Sequence, residues 1–187
     1  METLRYTRPA ILLHWAVAIL VLLQIALGFA ADWTDRPLSD GLMDQHVRVG
    51  LLILALMILR VSWRLAHVPP PMPDAVPRWR QQGASLVYAT FYILLILLPV
   101  TGYVLWAWTG PNLSFWGLGS VPILFVGGDD ELWRSIAGYV HEYGGYAITA
   151  VVLTHIVAAL HHQFIAKDMM IGDRMGLATL DGGAAAD

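Results

Sequence analysis

The sequence contains no cysteine. Disulfides, zinc ribbons, iron–sulfur clusters, covalently attached c-type haem and thiol catalysis are therefore excluded. Charge is also scarce: 13% of the 187 residues are charged, against about 25% in an average soluble domain. The net charge of −3, with histidine neutral, creates no general basic field for polyanions. What replaces charge is apolar. Hydrophobic residues make up 57% of the chain and the mean hydropathy is +0.60, where soluble domains average about 45–50% apolar. This balance argues against a soluble globular domain and excludes a disordered or nucleic-acid-binding chain. With thiols absent, the seven histidines are the only nitrogen or sulfur side chains suited to binding a transition metal strongly.

The apolar residues fall into four runs, at about 10–31, 46–65, 84–108 and 138–164. At about 1.5 Å per residue, 20 helical residues cover about 30 Å, one hydrocarbon thickness. Arg5 and Arg8 before the first run resemble the start of a signal peptide. The run is too long for one, it contains His14 and Gln24, and three similar runs follow it. Pro99 and Gly102 inside the third run are tolerable in a membrane helix, where neighbours re-satisfy the backbone. Between the second and third runs, residues 66–83 carry Pro69, Pro70, Pro71, Pro73 and Pro77, and are expected to form a stiff extended linker. Residues 109–137 are glycine-rich, with Trp116, Trp133 and a Gly-Gly-Asp-Asp-Glu run at 127–131. A loop that long is expected to be functional or packed on the membrane surface. Residues 1–176 thus read as one all-α integral membrane domain, a bundle of four transmembrane helices, and 177–187 as a disordered tail.

Arginine and lysine in the flanks set the orientation. Arg5, Arg8, Arg60, Arg64, Arg78, Arg80, Lys167 and Arg174 lie on one side, eight of the eleven, and Arg36, Arg48 and Arg134 on the other. Both termini are therefore expected in the cytoplasm. The opposite side is acidic, with Asp32, Asp35, Asp40, Asp44, Asp129, Asp130, Glu131 and Glu142.

Ionisable residues within membrane spans are costly and point by default to a functional site. His14 lies one turn into the first run, His46 opens the second, and His141 opens the fourth, with His155 14 residues further on. Fourteen helical steps end about 40° short of four full turns, which puts His141 and His155 on one face, about 21 Å apart. Topology then pairs the histidines by depth: His14 with His155 in the cytoplasmic half, His46 with His141 in the other. Two imidazoles in trans are how a helical bundle holds a b-type haem, which has no covalent link to the chain. A flat macrocycle also needs room one turn from each ligand, where the sequence has Ala18, Gly50, Gly145 and Ala159.

Plainer roles compete. A single membrane histidine often makes a helix–helix hydrogen bond. His46 and His141, at the ends of their runs, also suit an interfacial position. His161 and His162 compete with His155 as ligands, but their place beside Lys167 reads as interfacial; His67 reads as a solvated loop residue. Trp33, Trp63, Trp106, Trp108, Trp116 and Trp133 suit an aromatic belt, and Trp15 a belt or core role. Arg48, Arg60 and Arg64 are candidates for pairing with haem propionates or, equally, for flank anchoring.

Several motifs carry a family resemblance: Tyr6-Thr7-Arg8-Pro9-Ala10-Ile11-Leu12-Leu13-His14-Trp15, the His46-x-x-x-Gly50 start of the second span, Leu59-Arg60-x-x-Trp63-Arg64 with the Pro-Pro-Pro linker, Leu98-Pro99-Val100-Thr101-Gly102-Tyr103, and the Ala158-Ala159-Leu160-His161-His162-Gln163-Phe164 exit with Lys167-Asp168. Together, over about residues 5–176, they resemble the bacterial (prokaryotic-type) cytochrome b561 family. The resemblance implies a four-helix inner-membrane cytochrome with two b haems and quinone-linked electron transfer. Its ligand positions match His14, His46, His141 and His155, in agreement with the depth argument. The expected function is electron transfer between a membrane quinone, such as ubiquinone, and a donor or acceptor at the periplasmic face, where a redox protein is a candidate partner. One alternative is a superoxide:ubiquinone oxidoreductase, as the resemblance allows. The eight carboxylates against three cations on the outer side disfavour collecting an anion there. Another is a haem-bearing membrane anchor of a larger dehydrogenase or hydrogenase. A divalent-metal transporter would pair histidine with deep carboxylates, which the spans almost wholly lack. A plain scaffold bundle is the remaining reading.

Overall fold

The computed structural model describes residues 5–72, 76–109, 113–123, 131–166 and 174–175. Four helices account for most of them: α1 (Arg8–Asp32), α2 (Leu38–Ala66), α3 (Arg78–Thr109) and α4 (Glu131–Leu160). Beyond α4 the chain continues as a six-residue π-helical turn, His161–Ala166. All four helices are long and apolar enough to cross a membrane. The described residues contain no strand, only an isolated bridge between Ser114 and Ser120.

All four helices start earlier than the apolar runs suggest, α1 only slightly, at Arg8, and the others by more than a turn: α2 at Leu38, α3 at Arg78 and α4 at Glu131. Apolar content marks only the stretch that crosses hydrocarbon, and helix extends past it into polar turns. Asp40 and Glu131 lie in the first turns of α2 and α4, where carboxylates suit the helix dipole. The proline linker is correspondingly shorter than residues 66–83. The Pro77 carbonyl accepts from the N–H groups of Arg80 and Gln81 at 3.0 and 3.2 Å and so opens α3. The carbonyls of Pro70 and Pro71 both accept from the Arg174 guanidinium. The Arg174 carbonyl in turn takes the N–H of Tyr6 at 3.1 Å, which ties linker, N-terminal segment and C-terminal segment together.

The α1–α2 turn is closed by hydroxyls. Thr34 donates to the Ala30 carbonyl at 2.8 Å and Ser39 to Ala31 at 2.9 Å, satisfying carbonyls that α1 leaves without partners at its end. Within the long third connection, residues 113–123 form a small hairpin over the ends of α2 and α3. It is pinned by Arg48 Nε to the Ser114 carbonyl (2.8 Å), Trp116 Nε1 to Gln45 Oε1 (3.1 Å) and Tyr103 Oη to the Pro122 carbonyl (2.6 Å). Most of the Gly-Gly-Asp-Asp-Glu run and the tail 177–187 lie outside the described residues.

The core is apolar throughout: Val17, Val21, Val49, Ile53, Met57, Leu95, Ile148 and Val152 form one buried cluster, and no buried residue among those described is polar. Large apolar side chains also cover the outside, with Leu12 70% and Ile19 64% exposed. A bundle apolar on both its inner and outer surfaces is built for lipid.

Candidate functional site

α1 and α3 run toward the hairpin, α2 and α4 away from it, so each end of the bundle gathers side chains from alternate helix ends. At the end carrying the termini, the rings of His14 and His155 face each other with centroids 6.4 Å apart. At the hairpin end, His46 and His141 do the same at 5.9 Å. The four histidines therefore come together as the two pairs that depth suggests. His46 lies eight residues into α2 and His141 ten into α4. Neither sits at a helix end, because both helices begin well before their apolar runs.

Each ring is held by neighbours. The Nδ1 of His46 faces the Gln24 carbonyl at 3.2 Å, and the Gln24 side-chain amide returns a bond to the His46 carbonyl at 2.9 Å. The Nδ1 of His141 faces the Leu98 carbonyl at 3.0 Å, with the Thr101 hydroxyl 3.2 Å away. The Thr101 hydroxyl also donates to the carbonyls of Leu97 and Leu98 at 3.0 Å each. This turn of α3 thus supplies the acceptor that orients His141. A carbonyl only accepts, so Nδ1 carries the proton in both rings, and Nε2 keeps the lone pair that a metal takes. Two glycines let neighbouring helices close on these rings. A Cβ at Gly102 would stand 2.7 Å from His141 Cε1, and one at Gly28 3.2 Å from His46 Cε1.

At the other end, His14 is flanked edge-on by Trp15 at 5.4 Å, and His155 by Phe91 at 5.3 Å. The Arg60 guanidinium nitrogens reach 3.4 and 3.5 Å from His14 Nδ1. His161 and His162 sit beyond α4 in the π-helical turn, with their rings against each other at 5.9 Å. His67 is exposed and caps α2, its ring stacked flat on Trp63 at 3.9 Å.

Gln24, Gly28, Phe91, Leu98, Thr101 and Gly102 were not singled out as parts of the site by sequence reasoning. Gln24 was visible as a polar residue in an apolar run, but nothing there named its partner. Leu98 acts through its carbonyl, a group every residue has. One expectation changes outright. Gly50 does not leave open room beside His46, because a Cβ there would stand 3.2 Å from Gln24 Nε2, so the space belongs to that amide. Gly145, one turn from His141, does face open space.

The arrangement fits paired axial ligation. With metal–imidazole bonds of about 2.0–2.1 Å, two rings in trans hold their centroids roughly 6 Å apart, close to both observed spacings. Among the described residues, no three histidine or carboxylate side chains converge on one point. Residues 5–175 match the family described as prokaryotic cytochrome b561. The chain belongs to the prokaryotic cytochrome b561 family. Its similarity to two proteins of Escherichia coli K12 is of the same kind. It is 28% identical to cytochrome b561 homolog 1 over 88% of this chain and 93% of that protein. It is also 28% identical to cytochrome b561 homolog 2 over 96% and 95%. Cytochrome b562 of Cereibacter sphaeroides is 27% identical over 89% of this chain and 92% of that one. As a prokaryotic cytochrome b561, the protein is a multi-pass membrane protein of a haem-b electron-transfer family.

Proposed function

We propose that the protein is a dihaem b cytochrome of the bacterial inner membrane, carrying electrons between a membrane quinone, with ubiquinone the expected substrate, and a redox partner at the periplasmic face. The observation that carries this reading is the pair of facing histidine sites, at 6.4 and 5.9 Å, at opposite ends of one bundle. His14 and His155 would hold one haem, and His46 and His141 the other. Haem held by these pairs would supply reversible one-electron chemistry. The chain's own task is to orient the rings and keep water out. The Leu98 and Gln24 carbonyls fix the tautomer and rotation of His141 and His46. The apolar cluster from Val17 to Val152 fills the bundle between the sites. Helix rise over the 14 residues from His141 to His155 separates the sites by about 21 Å along the axis.

The arginine distribution supports an orientation with both termini in the cytoplasm and the hairpin at the periplasm. The deciding experiment is a reduced-minus-oxidised optical spectrum of the purified protein with haem stoichiometry. Two haems b per chain, each low-spin and six-coordinate, are expected. One haem, or a high-spin species, would defeat the dihaem reading.

A further inference from the structure

Three arginines along α2 were sequence candidates for haem carboxylates: Arg48, Arg60 and Arg64. The structure separates them. Arg48 is committed elsewhere, with Nε on the Ser114 carbonyl at 2.8 Å and Nη2 3.5 Å from Asp44 Oδ2. Arg60 and Arg64 have no carboxylate partner among the described residues. They lie one turn apart on the same helix, and both guanidinium groups lie over the ring of Tyr92, at 5.9 and 5.7 Å. Arg64 also lies over Tyr88, at 6.0 Å. Like charges at this spacing repel, and the half-buried guanidinium of Arg60 is costly without an anion, while Arg64 is exposed. Tyrosine faces hold such groups against the bundle but neutralise nothing.

The contact of Arg60 with His14 points the same way. At 3.4 and 3.5 Å from Nδ1 it is long, and a guanidinium has only donors. An imidazole that binds iron through Nε2 carries its proton on Nδ1 and cannot accept. With His14 as a ligand, Arg60 therefore requires another acceptor close by. A b-type macrocycle carries two propionate carboxylates on one edge, and the arginine fork matches a carboxylate with two parallel hydrogen bonds. We propose, resting on the dihaem reading above, that Arg60 and Arg64 clamp the propionates of the haem held by His14 and His155. Arg60 is the inner jaw, Arg64 is the outer one, and Tyr92 is the surface between them. Lipid phosphate is the other source of an anion at this end of the bundle. Arg60 favours propionate because its guanidinium already lies against a ligand ring.

The test uses the purified holoprotein with haem labelled with carbon-13 at the propionate carboxylates. Reduced-minus-oxidised infrared difference spectra and spectroelectrochemical titrations compare wild type with Arg60→Gln/Arg64→Gln, Arg60→Lys and Arg48→Gln. In the double variant the labelled carboxylate bands of one haem should shift and its midpoint potential should fall, because positive charge that favours the reduced state is gone. The other haem should keep its potential. Arg60→Lys keeps the charge and loses the fork, so its bands should shift with a smaller fall in potential. This variant decides the matter if the double variant does not retain haem. Arg48→Gln should leave the bands of that haem in place. Two haems per chain with labelled bands unmoved in Arg60→Lys and the double variant would overturn the clamp alone, as would a shift confined to lipid phosphate bands. Wild type without haem at His14 and His155 would overturn the dihaem reading and the clamp together.

Discussion

Each histidine pair should have its own substitution phenotype. His14→Ala or His155→Ala is expected to remove one haem, and His46→Ala or His141→Ala the other, read as halved haem stoichiometry and the loss of one redox transition. Loss of the same haem from His14→Ala and His46→Ala would contradict the pairing, and full haem in His155→Ala with loss in His162→Ala would move the α4 ligand. Gly102 offers a finer probe. A methyl there would stand 2.7 Å from the His141 ring, and overpacking of this kind costs about 1–3 kcal/mol. Gly102→Ala is expected to push His141 off its Leu98 carbonyl and to perturb only the His46–His141 haem, measured as a shift of one α-band and one potential. Unchanged spectra would show that the ring has slack. The four histidines were legible in the sequence because membrane histidine is rare and topology leaves few depth pairings. The groups that orient them were not. The Leu98 carbonyl, the Thr101 hydroxyl and the Gln24 backbone become ring partners only when α3 meets α4 and α1 meets α2. The small residue at Gly50 was visible, but its neighbour was misjudged, because a glycine shows that space is needed and not what fills it.

At the level of the elements, the apolar runs located the four helices but not their ends. The amphiphilic first turns of α2 and α4 lie outside hydrocarbon, so hydropathy does not mark them, and α3 takes in Arg78 and Trp79 because Pro77 can open a helix without an N–H of its own. The hairpin at 113–123 was legible only as part of a long glycine-rich loop. It depends on contacts with distant helices and on backbone conformations that only glycine adopts freely: Gly117 has φ +81° and Gly119 φ +143°, while Trp116 is held at φ +47° against the preference of a side chain. Arg48 is its main fastening to α2. Removing a charged hydrogen-bond donor of this type costs about 1.5–3 kcal/mol. Arg48→Ala is therefore expected to loosen the hairpin locally, seen as faster proteolytic cleavage within residues 113–123, with the His14–His155 haem untouched. Cleavage at the wild-type rate would place the fastening in Trp116 and Tyr103 instead.

Across the whole molecule, the two histidine sites sit at the ends of an apolar waist, and the charge around them is unequal. At the hairpin end, Asp32, Asp35, Asp40, Asp44, Glu131 and Glu142 belong to the described residues. Two of the three arginines there are already in ion pairs, Arg36 with Asp40 and Arg48 with Asp44, both at 3.5 Å. An anion approaching that face meets mostly carboxylate, and fields between exposed charges act over about 8 Å at physiological ionic strength. Free superoxide is therefore expected to reduce the oxidised protein slowly, and a cationic or protein-bound donor faster. Salt decides the matter because it screens the encounter and leaves ligation alone. In a superoxide flux, rising ionic strength should speed reduction of the cytochrome, since it weakens a repulsion. If salt instead slows a reaction already near the diffusion limit, the mouth is locally positive despite its surroundings. Arg134 would then be the first residue to replace, and superoxide would become the natural donor.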